Sequence, residues 1–305
     1  MIRLHPLFGI LIWLLFLAAW RPQFHEPRWI IVLLLFSPLV LMPLSRSLRG
    51  RTDRELGRQI FDVPAAALLA PAFSFQPGWL TALISLPWLI LCGATALEAL
   101  KDWRRRRPFD IAETCLQSSR VFPAIGAVWL TAERLGWNPF GYDSLIVLLT
   151  AAHFHHAGFT LPLIAGLHGR ERPGAVARIA GLLILAGVPL VAVGIALTHA
   201  AVWRGIEPWA VAVLALGSLV VAALQVGRAL DQNQRRWQRI TMGISGFSLA
   251  AAMVLALGYG MRSLWPAVAF SMPSLWAVHG TLNVFGFGLF GILAWRSLAA
   301  RAIES

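Results

Sequence analysis

Ten apolar segments of 16–25 residues, separated by short loops that hold most of the charge, constrain this chain more than any other feature. They run about 5–20, 28–45, 60–76, 79–100, 117–136, 143–167, 179–202, 207–227, 240–261 and 277–297. A helix crossing a bilayer needs about 20 mostly apolar residues, and without water the backbone must satisfy its own hydrogen bonds. Barrel strands would alternate apolar and polar residues. Runs such as Ile30 to Leu44 and Leu182 to Leu197 do not alternate. The expected architecture is an all-α polytopic bundle of about ten transmembrane helices, forming one membrane domain over residues 1–305. The segment 60–76 is short and holds Pro64 and Pro71, which points to a kinked or re-entrant helix.

Composition agrees. Charged residues make up 13% of the chain, about half the share of a soluble domain, and the mean hydropathy is +0.68. The formal charge of +12 would suit nucleic acid, but the distribution of the basic residues explains it better. With the N-terminus inside, 21 of 26 Lys and Arg residues fall on the cytoplasmic face. The opposite orientation would violate the positive-inside rule at every loop. The run Arg104-Arg105-Arg106-Arg107 therefore reads as a topology anchor at anionic headgroups rather than a nucleic-acid site. Membrane lipids are the expected surroundings, with both termini cytoplasmic. Leu7 to Trp20 ends in Trp20-Arg21-Pro22 with no small-residue cleavage site, so it reads as a retained first span. Cys92 and Cys115 have neither disulfide-framework nor metal-ligand spacing.

Chemistry concentrates in Thr150-Ala151-Ala152-His153-Phe154-His155-His156-Ala157-Gly158-Phe159. Three histidines stand about 14 Å inside the sixth span at 1.5 Å per residue. Intramembrane ionisable groups face the bundle interior and tend to mark a site. His153 and His156 share a helix face, and His155 points away from His153. A second constellation, His279 and Asn283, opens the last span, which Gly280, Gly286, Gly288 and Gly291 make thin. Glu133, beside Arg134 toward the outer end of span five, is a candidate assisting carboxylate, with a headgroup-level ion pair as its plainer role. Asp143 reads as the cap of span six.

The candidate catalytic set is His153, His155, His156, His279, Asn283 and Glu133. Within it, His153, His156 and His279 form the candidate metal set. Imidazole suits a transition metal, with haem ligation by His153 and His279 a weaker option; acid–base chemistry needs no metal. The plainer alternative is that the histidines hydrogen-bond between helices. Residues 153–170 also align without a gap on 279–296, matching His153 with His279 and Arg170 with Arg296. This suggests a weak parallel repeat of regions 117–170 and 240–297.

The stretch Ile146 to Phe159, together with Gly126-Ala127-Val128-Trp129-Leu130 and His279-Gly280-Thr281-Leu282-Asn283-Val284-Phe285-Gly286-Phe287, resembles the YndJ-like family of bacterial membrane proteins. The resemblance covers spans five, six and ten. It implies a multi-span membrane protein and supplies no reaction.

Three functions are expected in order. The first is a membrane-embedded enzyme acting on a lipophilic small molecule that enters from the lipid. The second is a proton-coupled or small-molecule transporter. The third is a scaffold or assembly factor with structural histidines. An enzyme needs a pocket open to lipid, a transporter a path to both aqueous faces, and a scaffold neither.

Overall fold

The computed structural model describes residues 5–48, 53–105, 109–199, 202–203, 205–268 and 270–304, with the backbone alone at 5, 53–59, 199, 268 and 301–304. Arg3, Arg49, Arg51, Arg106, Arg107 and Arg204 lie outside the described residues. All regular structure among those described is helical. In chain order the helices are α1 (His5–Trp20), α2 (Pro27–Leu48), α3 (Asp53–Ala67), α4 (Leu69–Ser74), α5 (Trp79–Arg105) and α6 (Ile111–Leu135). They continue with α7 (Ser144–His156), α8 (Thr160–Glu171), α9 (Ala175–His199), α10 (Ile206–Ala229), α11 (Arg236–Gly260) and α12 (Met272–Ala300).

Each of the ten apolar segments is helical where described, and among the described residues seven helices are long and apolar enough to cross a membrane. Pro6–Trp20 and Ile60–Ser74 are apolar but shorter. Helix α6 has the length, but it carries Glu113, Arg120, Glu133 and Arg134. Large apolar side chains such as Leu7, Leu15, Trp79, Ile90, Val254 and Phe247 stand exposed on the helices. Water would penalise that surface and lipid does not. The protein is a multi-pass membrane protein.

Local sequence explains where the helices start, stop and bend. Pro22 disfavours a helical Arg21, which adopts φ 42°, and α1 ends there. Pro27 opens α2 at the position where a missing N–H costs nothing. Inside α2, Pro38 has no N–H to give, and Ser37 N–H turns to Leu34 O. The winding over Ser37–Leu41 widens to a π-helix, with Met42 N–H reaching back to Ser37 O. In the third apolar segment, helix stops at Ala67 and resumes at Leu69, close to the kink that Pro64 and Pro71 suggested. Asp143 caps α7 by accepting from Ile146 N–H at 2.9 Å.

The chain packs as two compact units. The first comprises residues 1–105 and 120–159; the second comprises 106–119 and 160–305. In the first, α2 is the central element, with 78% of its most apolar stretch buried against 33% for α5. In the second, α9, α10 and α11 pack in succession, and α12 lies against α11. The first half of α12 is π-wound over Leu275–Gly280 and Leu282–Leu289. Between α7 and α8, the turn Ala157-Gly158-Phe159 interrupts the sixth span.

Candidate functional site

In the first unit, His155 is fully buried. It lies at the end of α7, where its ring bridges its own helix and α5. Nδ1 lies 2.8 Å from Ala151 O, and a carbonyl can only accept, so Nδ1 carries the proton. Nε2 then accepts from the indole N–H of Trp88 at 3.0 Å. His155 is therefore a neutral ring with both nitrogens engaged. Gly126 on α6 makes room for it: a β-carbon there would stand 2.5 Å from Nδ1.

The next residue ties α7 to α2. His156 donates Nε2–H to Leu33 O at 2.9 Å, and the Ser37 hydroxyl donates to His155 O at 2.6 Å. Ser37 opens the π-wound stretch of α2, and Leu33 lies one turn before it. His153, half-buried, stands one turn earlier, its ring edge-to-face with Phe154 at 5.3 Å.

Glu133 is buried and both its oxygens are taken. They bind Arg134 Nε and Nη2 at 2.5 Å each. Arg134 Nη1 donates to Ala72 O and Phe75 O, and the guanidinium lies 4.2 Å from the Phe73 ring centre. Arg134 O accepts from Gly78 N–H and from the Thr81 hydroxyl. The pair is buried and staples the turn between α4 and α5. Arg120 pairs with Asp102 at 2.9 Å and lies 3.8 Å from Glu98.

His279 and Asn283 belong to the second unit and do meet, as their spacing indicated. His279 donates Nδ1–H to Ala252 O of α11 at 2.8 Å. Asn283 Nδ2 lies 3.1 Å from His279 Nε2 and 2.8 Å from His279 O. The ring is again neutral with both nitrogens engaged. Gly286 brings α12 close to α11, since a β-carbon there would stand 2.2 Å from Ser248 Oγ. Among the described residues, no group of three His, Cys, Asp or Glu side chains is placed to hold a metal ion.

The second unit also holds a polar chain that sequence reasoning missed. His168 donates Nε2–H to Gln225 Oε1 at 3.1 Å, Gln225 Nε2 donates to Ser245 Oγ at 3.0 Å, and Ser245 donates to Phe287 O at 3.0 Å. Arg228 reaches His168 Nδ1 with Nε at 3.4 Å and Glu171 with Nη1 at 2.8 Å. His168, Gln225 and Arg228 are all buried. Gln225, a lone amide inside an apolar span, was the available signal.

The chain matches the YndJ-like protein family over residues 7–287. It belongs to the YndJ-like family. A relative, the uncharacterized membrane protein YndJ of Bacillus subtilis (strain 168), is 23% identical over 225 residues. That alignment covers 72% of this chain and 39% of the relative, so the chain spans well under half the length of the curated relative it matches. No solved structure matches.

Proposed function

We propose that this YndJ-like protein is a transporter of a small neutral solute, built around helices whose winding widens within the span. The observation that carries the reading is the coincidence of irregular winding with the histidines in each unit. The π-wound stretch of α2 meets His155 through Ser37, with His156 bound one turn before it at Leu33, and the π-wound stretches of α12 carry His279 and Asn283. Irregular backbone in a membrane costs hydrogen bonds and is kept where it is buried in protein or lines a cavity, commonly at a binding site. The groups gathered there are carbonyls, a hydroxyl, an indole, an amide and neutral imidazoles, which suit a neutral hydrogen-bonding solute. We rank the enzyme acting on a lipophilic substrate second, because His155 and His279 have both ring nitrogens engaged.

The test is accessibility. Single cysteines replace His153 and Asn283, both half-buried, in a Cys92→Ser/Cys115→Ser background. A membrane-impermeant thiol reagent is applied to vesicles of each orientation. A transporter predicts labelling from both faces. Labelling only by a lipid-soluble maleimide would favour the enzyme, and labelling by neither reagent the scaffold.

We place the protein in a bacterial inner membrane with both termini in the cytoplasm. The support is the charge asymmetry of the loops. A periplasm-dependent reporter fused after Asn138 should be active and one after Arg106 inactive; the reverse pattern would invert the map.

A further inference from the structure

We infer that α8, α10 and α12 of the second unit form a buried phosphate-binding site centred on Arg228 and Trp295. The Arg228 side chain is 2% exposed and Trp295 is 4% exposed. Two of the guanidinium nitrogens are used, Nε toward His168 and Nη1 toward Glu171. The third, Nη2, is buried with no acceptor among the described residues, and so is the indole Nε1 of Trp295. Folded proteins rarely bury such donors unmatched, and two in one place call for a common acceptor.

The two donors belong together. The Arg228 guanidinium carbon lies 4.6 Å from the Trp295 ring centre, and the ring stands edge-on to His168 at 5.0 Å. The nitrogen without a partner belongs to the ring that the guanidinium faces, and in the proposed site one oxyanion accepts from both. A guanidinium fork matches the spaced oxygens of a phosphate, and a cation makes those bonds stronger than neutral ones.

Charge around the site favours an anion. The loops 168–178 and 228–239 hold seven arginines and two carboxylates, Glu171 and Asp231. Both carboxylates are already paired, Glu171 with Arg228 and Asp231 with Arg172. The surplus is positive, and basic pockets between membrane helices capture headgroup phosphates. The shared chemistry is a phosphate oxygen, from either an anionic phospholipid or free phosphate.

The experiment measures Tm of the full chain with two probes. One is inorganic phosphate added to protein in neutral detergent. The other is nanodiscs of phosphatidylglycerol compared with phosphatidylcholine. A saturable rise of about 3 °C is expected with at least one probe. It should be lost in Trp295→Phe, which keeps a ring in place and removes only the donor edge, and in Arg228→Gln. A rise with free phosphate identifies the soluble source; a rise with phosphatidylglycerol alone identifies the lipid. No rise with either probe, or the same rise in Trp295→Phe as in wild type, overturns the site. If Arg228→Gln does not fold, Trp295→Phe decides alone, its unliganded Tm serving as the control for fold.

Discussion

Removing the donor that Trp88 gives to His155 should weaken the first unit by an amount a double-mutant cycle can isolate. In Trp88→Phe the indole N–H is gone, and Nε2 of a fully buried imidazole keeps a lone pair with nothing to accept. In a water-soluble protein such an orphan costs about 1–3 kcal/mol. Cycles in a membrane protein give about 0.6 kcal/mol on average and about 1.7 at most, because unfolded spans in lipid also find partners. The second range governs here, since both groups lie on apolar helices. Trp88→Phe also loses packing area, which the cycle with His155→Leu removes from the coupling. The expected coupling of about 0.6–1.7 kcal/mol corresponds to a factor of about 3 to 18 in the unfolding constant. Equilibrium unfolding in mixed detergent micelles with increasing SDS would measure it, followed by circular dichroism for the four proteins of the cycle. Additivity within about 0.3 kcal/mol would refute the reasoning, because independent sites already add to that precision.

Two further outcomes follow from the same geometry. Gly126→Ala drives a β-carbon against a ring already fixed by Trp88 and Ala151, and should cost about 1–3 kcal/mol in the same assay. A neutral result would mean that the ring moves freely. Arg134→Gln leaves the buried Glu133 carboxylate without its partner and two carbonyls without donors, a loss of about 3–5 kcal/mol read as reduced folded yield. The double variant Glu133→Gln/Arg134→Gln should recover part of it, and a double variant as poor as the single would contradict the ion-pair explanation.

Much of the fold is legible because lipid imposes a simple demand, long apolar helices with charge at their ends. Every apolar segment is a helix for that reason. The pairing of His279 with Asn283 was legible because spacing alone puts them on one face. The π winding was harder to read. Pro38 announces a missing donor in α2, but α12 widens over Leu282–Leu289, where it packs against α11, with no proline within that stretch. Trp88 as the partner of His155 depends on two helices meeting, which no local pattern states. That Glu133 and Arg134 end a span was legible; that they are buried was not, because the turn that covers them comes from a distant part of the chain. His168 lies at the end of a span, and its link to Gln225 and on to Ser245 joins polar groups from separate apolar helices, which no local pattern states.

The account rests on histidine rings that each hold one proton and hydrogen-bond to a neighbouring helix. Nitrogen-15 NMR of histidine-labelled protein in bilayers, assigned by single substitutions, tests this most directly. The account predicts Nδ1–H tautomers for His155 and His279, and Nε2–H tautomers for His156 and His168. Nε2–H at His155, or a signal typical of metal-bound Nε2 at His279, would contradict it.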